Sequence, residues 1–381
     1  FDIGTYTGNG GQYRVGIPTL RGQGASAGTV ANSLRFRSGN SNAMTRSFGA
    51  PTDNKKWTWS AWVKRSTSGA WQGLFYGGNT GTGNVCTELY FYSDDSLYYQ
   101  TYNTPNNVGL LQPTQLFKDC TVWNHIVLVI DVTNATANYR NRLYLNGVEI
   151  TAFASRTNHG TSDTLYYNNA SYTHYLGESF QVNTSSPPGR FFDGYIADNY
   201  FIDGQALTPS SFGEYNSDNI WVPKSISGLT YGTNGFYLKF APGAVGTDSS
   251  GNGNTWTLSG FNTTTANTTY DVMTDSPVDY LSGSMTTANN AGNYATLSSY
   301  NKSSAITLSN GNLYWTGGSQ AGGDTFSQIA ANMNIPTTGK WFFEMQPQSA
   351  GSDANTFGFN ITRSNRGGNG WPATRGNLGY P

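Results

Sequence analysis

From Ser33 onward, apolar and polar residues alternate in short segments: SLRFRSG, KKWTWSAWVKR, LFYGG, ELYFYS, SLYYQTY, WNHIVLVIDV, RLYLNGVEI, HYLGES and FFDGYIADNYFID. Each is about one strand long and is bounded by Gly, Asn, Asp or Pro, the residues that close turns. Period-two alternation predicts strands, and many short ones in succession predict an antiparallel sandwich. In WNHIVLVIDV, Ile126, Leu128 and Ile130 share one face while Val127, Val129 and Asp131 share the other. Both faces are largely apolar, so this strand is expected at a sheet centre. In RLYLNGVEI, Asn146-Gly147 predicts a type I′ hairpin turn, because both residues tolerate positive φ. Amphipathic helices are not expected. TPSSFGEY offers one turn at most, with Thr208 as its cap and Pro209 behind it.

KKWTWSAWVKR poses a sharper question, since its three tryptophans suit either a ligand platform or a sheet core. Alternation puts Trp57, Trp59, Ala61 and Val63 on one face and Thr58, Ser60, Trp62 and Lys64 on the other. The tryptophans therefore form no continuous platform, and the strand is expected to be covered on both sides. Trp57, beside Lys55-Lys56, is the one expected to be exposed and open to a ligand.

The same pattern divides the chain. Residues 1–31 are Gly-rich with little periodicity and read as an arm that docks on a partner. Residues 32–245 carry the alternating segments, and residues 246–290 read as a polar linker. A new β pattern (ATLSS, AITLSNGNLYWTG, GKWFFEMQP, NTFGFNIT) fills 291–381. It has too few strands for a closed sheet pair, so this second unit is expected to be incomplete.

Composition narrows the function. With 381 residues there is room for two ordinary cores. Charged residues make up 11% and the formal net charge is −1, so no electrostatic case exists for nucleic acid or an anionic membrane. Neither a transmembrane span nor a signal peptide is expected, because no apolar run approaches about 18 residues and no leader pattern is visible. Cys86 and Cys120 lack the spacing of a zinc or redox site; they read as two buried thiols or as one bridge between neighbouring strands.

The ordered series SLRFRSG…TWSAWVKR…GLFYGG…WNHIVLVIDV…RLYLNGVEI…FFDGYIADNYFIDGQAL resembles the strand signature of laminin-G-like, concanavalin A-like jelly rolls over residues 33–240. FIDGQALTPSSFGE and YGTNGFYLKF…DSSGNGNTWTLSGF are similar to bacteriophage virion proteins, especially tail-fibre or appendage proteins. In those, a SPRY-like sandwich follows the lectin-like domain, and NYATLSSYNKSSAITLSNGNLYWTG with TTGKWFFEMQP resembles its opening. The resemblance implies an all-β concanavalin A-like jelly roll with Trp62 packed inside it, plus a partial SPRY-like sandwich. It further implies a non-catalytic adhesin in the virion, bound to other virion proteins through the arm and to host-surface glycan. A homo-oligomer, a trimer by preference, is the implied assembly. The rival roles are a capsid-decorating or tail-connecting protein and a polysaccharide depolymerase.

Chemistry along the chain leans against catalysis. Laminarinase-like enzymes on this fold place two carboxylates two or four residues apart on one strand, where both face the sugar. Glu88, Glu149, Glu178, Glu214 and Glu344 each stand alone, and Asp94-Asp95 alternate across faces. No GxSxG elbow accompanies His125, His159 and His174. His125 reads as a hydrogen-bonded strand residue, and the other two as solvated loop residues.

Calcium is a possible ligand of the lectin-like fold, and Asp248, Ser250 and Asn252 place oxygen side chains at alternate positions before a glycine. The closing Glu of an EF-hand is absent, since position 259 is Ser, so an Asx-type turn is favoured. Asp193, Asp198 and Asp203 form a weaker metal candidate. Seven N-x-S/T sequons are what an Asn- and Thr-rich chain yields by chance. Aromatics remain as sugar-stacking candidates: Tyr98, Tyr99 and Tyr102 in SLYYQTY, and Tyr166, Tyr167 and Tyr172 in LYYNNASYTHY, although strand tyrosines are commonly half-buried.

Overall fold

The computed structural model describes residues 30–79, 85–181, 189–265, 269–278, 292–317 and 329–332. Residues 1–29 of the expected arm and everything after 332 in the expected second unit lie outside the described residues.

Two eight-stranded sheets pack face to face. The first runs, from one edge, Val148–Glu149, Asn141–Leu145, Asn124–Asp131, Lys56–Arg65, Gly194–Asp203, Ser33–Phe36 and Val272–Met273, with Phe236–Leu238 also paired to Gly194–Asp203. The second runs Phe153–Thr157, Asn106–Pro113, Leu97–Asn103, Val85–Phe91, Gln72–Gly78, Thr173–Leu176, Ala43–Ser47 and Thr257–Ser259. All their pairings are antiparallel. Among the described residues the helical elements are three short 3₁₀ turns, and none is long and apolar enough to cross a membrane.

The alternation read from the sequence sets the core. Ile126, Leu128 and Ile130 face the second sheet, and Val127 and Val129 face outward, in a strand flanked on both sides. Asn146 and Gly147 both have positive φ, at 48° and 83°, as the hairpin requires. Pro209–Ser211 is a single 3₁₀ turn, but Thr208 makes no capping bond; its hydroxyl pairs with that of Ser210.

The outward face of the first sheet is covered rather than solvated. Val127, Val129, Tyr144, Tyr200 and Ile202 lie under Leu207, Phe212, Ile226 and Leu229. Trp62 lies on that outward face too, with Trp123, Tyr195 and Val278, and stacks on His125 at 4.8 Å. The expectation that Trp62 fills the sandwich core is thereby corrected: Trp57 and Trp59, on the opposite face of the strand, do so.

The stretch expected as a linker belongs to this sandwich in its described parts. Thr257–Ser259 extends the second sheet and Val272–Met273 the first. Asp271 is wholly buried between Arg35 (3.1 Å) and Arg37 (2.8 Å), and Asp275 meets Lys64 at 2.9 Å. A buried carboxylate is tolerated where such partners and hydrogen bonds replace water. Beyond it, the Tyr195 hydroxyl donates to Gly311 O and Asn312 Nδ2 donates to Ser66 O, so residues 310–312 dock on the first sheet.

Candidate functional site

The outward face of the second sheet differs from that of the first, because side chains of graded exposure line it in cross-strand rows. Val85–Phe91 points Cys86, Glu88 and Tyr90 outward while Leu89 and Phe91 fill the core. Register then sets Tyr90 opposite Tyr98, Glu88 opposite Gln100 and Cys86 opposite Tyr102. Gly73 is opposite Tyr90 on the other side.

That glycine admits a second layer. A Cβ at position 73 would fall 2.2 Å from Ser179 N, so only glycine lets the hairpin Glu178–Phe180/Gly189–Phe191 lie against the sheet. The hairpin carries Arg190 to Trp71, with its guanidinium carbon 3.7 Å from the indole centroid. Trp71 stacks on Tyr90 (5.6 Å, 9°), and Tyr90 stacks on Tyr98 (5.4 Å, 14°). Tyr92 leans on both Trp71 (3.9 Å) and Tyr98 (5.3 Å). Trp71, Tyr92, Tyr98 and Arg190 are half-buried, leaving part of each in solvent. Ser38, Trp71, Gln181, Gly189, Arg190 and Phe191 line an open cleft at this end of the row.

Next to Tyr90 on the same face sits Glu88, fully buried. Its Oε1 accepts from Gln100 Nε2 at 2.5 Å, whereas Oε2 has no hydrogen-bond partner among the described residues. Burial pushes the Glu88 carboxyl up to about 7, against the pull of Arg190 and of the Gln100 amide. Burial also lifts Glu178, in the hairpin, to about 7. Cys86 and Tyr90 occupy the positions two away from Glu88 on its strand, so that strand presents no carboxylate pair there.

The sequence candidates separate in the structure. Trp57 is fully buried and packs on Phe75, Tyr167 and Phe201, which removes it as an exposed stacking residue. Its place next to two lysines marks a strand end in sequence, but in space the far sheet covers it. Tyr167 is in the same aromatic core, and Tyr99 faces inward with its hydroxyl 2.8 Å from His159 Nε2. Neither can meet a ligand from outside. Tyr98 is in the row, and Tyr102 lies on the same outward face beside Cys86. Tyr166 is 6% exposed and packs edge-on against Tyr172. Trp71, Tyr90, Tyr92 and Arg190 are additions the sequence did not single out; the alternation of Glu88, Tyr90 and Tyr92 in ELYFYS was the available signal.

The Asp248 loop is an Asx turn with its oxygens in use. Oδ1 accepts from the Tyr237 and Ser250 amides, and Oδ2 from the Ser250 hydroxyl and the Asn254 amide. Asn252 Nδ2 donates to the carbonyls of Gly232 and Gly235. Asp203 likewise accepts from Thr52, Asp53 and Asn234 amides and Asn168 Nδ2, while Asp198 accepts from Tyr237. These carboxylates brace loops against one another. Among the described residues no group of three His, Cys, Asp or Glu side chains converges as a metal site.

All three histidines are buried, which corrects the solvated reading of His159 and His174; His159 does lie in the loop after Phe153–Thr157. His174 lies in Thr173–Leu176, faces inward and stacks on Phe48 at 3.7 Å. His159 bonds to Tyr99 and Asp163. His125 Nδ1 accepts from Trp221 Nε1 at 3.0 Å, so its Nε2–H donates to Ser60 Oγ at 2.8 Å. Burial holds His125 and His174 down at about 3. Cys86 and Cys120 are separate buried thiols.

Residues 37–211 match a family model described as the concanavalin A-like lectin/glucanases superfamily. No curated protein matches the chain. Similar solved structures include the native heptameric SAP-like pentraxin from Limulus polyphemus (16% identity, 48% of this chain and 80% of that one, TM-score 0.35). Others are the Ruminococcus gnavus IT-sialidase CBM40 (16%, 48% and 96%, 0.32) and a leech intramolecular trans-sialidase (18%, 49% and 27%, 0.33).

Proposed function

The fold is an all-β, concanavalin A-like jelly-roll sandwich, and from it we propose a non-catalytic carbohydrate-binding role for the chain. The ligand lies on the outward face of the second sheet, across Trp71, Tyr92, Tyr98 and Arg190 and into the neighbouring cleft. The carrying observation is an aromatic row capped by a guanidinium, in which Trp71, Tyr92 and Tyr98 keep part of their surface in solvent around the buried Tyr90. Sugars offer apolar C–H faces to aromatic carbon and hydroxyls to polar tips, and this face supplies both. The lectin/glucanase match over residues 37–211 supports the same reading.

The finer assignment rests on the phage-like phrases FIDGQALTPSSFGE and YGTNGFYLKF: a virion appendage adhesin, docked on other virion proteins and directed at host-surface glycan. Weak single sites gain avidity when several copies are presented together, which favours a homo-oligomer, in this reading a trimer. The test is adsorption of the multimeric protein to host cells and to glycan arrays, alongside assay of host polysaccharide for new reducing ends. Glycan binding without new reducing ends supports the proposal. New reducing ends, or binding to virion proteins with no glycan bound, would replace it with one of the rival roles.

A further inference from the structure

Lys64 is wholly buried, and its amine faces a carboxamide. Nζ lies 2.9 Å from Asp275 Oδ2, 3.0 Å from Asn293 Oδ1 and 3.0 Å from the Tyr294 carbonyl oxygen. Three acceptors satisfy an ammonium, so an ion pair accounts for the hydrogen bonds. It does not account for the convergence of an amine, a carboxylate and a carboxamide in a pocket with aromatic walls. Trp123 Nε1 donates to Asp275 Oδ1 at 3.1 Å, and Nζ lies 5.8 Å from the centroid of the Tyr195 ring.

Backbone pairing fixes the trio. Lys64 is in the central strand Lys56–Arg65, directly opposite Tyr195. The Ser276 amide donates to Gly292 O at 2.9 Å, the Gly292 amide to Thr274 O at 3.1 Å, and the Tyr294 amide to Asp275 Oδ1 at 3.3 Å. The chain on both sides of Asn293 is therefore tied to the chain around Asp275.

We propose that Lys64 and Asn293 form an intramolecular isopeptide bond, with Asp275 carrying the protons. Asp275 Oδ2 takes a proton from Nζ, and the amine attacks Asn293 Cγ. The Nζ–Cγ bond forms and the Cγ–Nδ2 bond breaks. Of the three ammonium protons Nζ keeps one, and the other two leave with Nδ2 as an ammonium ion, so charge and atoms balance and no oxidant or cofactor is consumed. Fixed proximity, worth effective molarities of about 10⁵–10⁸ M in well-oriented cases, replaces chemical activation of the amide. The link would join residues 229 apart in sequence and hold the docked segment to the centre of the first sheet. Such a cross-link stabilises chiefly by restricting the unfolded chain.

Intact-mass spectrometry with peptide mapping of the full chain tests this. The wild-type protein should weigh one ammonia less than its sequence. Trypsin should leave Lys64 uncut, within a branched peptide that carries the Asn293 segment. Lys64→Arg and Asp275→Asn should both restore the full sequence mass. Should either variant fail to fold, the wild-type mass and map decide alone. Asparagine cyclisation also expels ammonia but gives no branched peptide, so ammonia loss without the branch overturns the proposal. A full-mass wild-type chain after prolonged incubation overturns it as well.

Discussion

The guanidinium carbon of Arg190 sits 3.7 Å from the centroid of the Trp71 indole, joining a surface hairpin to the end of an aromatic row on the second sheet. That contact depends on Gly73, because a side chain there would push the hairpin off the sheet. Gly73→Ala is expected to displace Arg190 from Trp71. The check is loss of near-ultraviolet circular dichroism from the indole, with far-ultraviolet strand signal kept.

Trp57→Ala should destabilise the fold by about 3–5 kcal/mol, the usual cost of emptying an aromatic core site. Urea titration measures it. Sugar binding by the folded fraction should be unchanged, because Trp57 is enclosed by Phe75, Tyr167 and Phe201.

Glu88 gives a pH-dependent handle. Its carboxyl is raised from 4.5 to about 7 in the folded protein, so the folded state holds this proton more tightly than the unfolded chain. The associated stability is complete below pH 4.5 and is lost as pH rises through about 7. Glu88→Gln, which stays neutral, should match wild type near pH 4. At pH 8 it should be more stable by up to about 3 kcal/mol, read from denaturant midpoints at the two pH values.

His125 works in the opposite sense. Its folded value near 3 lies below the ordinary 6.5, so unfolding takes up a proton between those limits. Stability from this residue is full above pH 6.5 and falls as the solution is acidified, by about 2 kcal/mol at pH 5. Imidazole resonances followed by NMR should show His125 neutral down to at least pH 4, with the Trp221 indole proton bonded throughout.

Asp248 is expected to act through its turn and not through calcium. Adding calcium or a chelator should leave the thermal midpoint unchanged. Asp248→Ala, which strands donors from Tyr237, Ser250 and Asn254, should lower stability by about 2–4 kcal/mol. A calcium-dependent midpoint lost in the variant would restore the metal reading.

The sheet strands were legible wherever alternation ran for several residues, as in Asn124–Asp131 and Lys56–Arg65. Thr257–Ser259 and Val272–Met273 are too short to show a period, and Asp271 and Asp275 look like linker polarity until Arg35, Arg37 and Lys64 are placed beside them. Adjacent Tyr98 and Tyr99 point to opposite faces, and only tertiary packing tells which face the other sheet covers. Trp71 and Arg190 meet because a hairpin folds over a glycine, a contact with no local sequence signal.

The proposed function stands or falls on sugar binding at the face built by Trp71 and Arg190. Trp71→Ala and Arg190→Ala, assembled as multimers like the wild type and titrated with a glycan that the wild type binds, test it most directly. Native stability is expected, with binding weakened by roughly 30-fold in each, about 2 kcal/mol as for an interface hot spot. Wild-type affinity in both variants, with their folds intact, would contradict it.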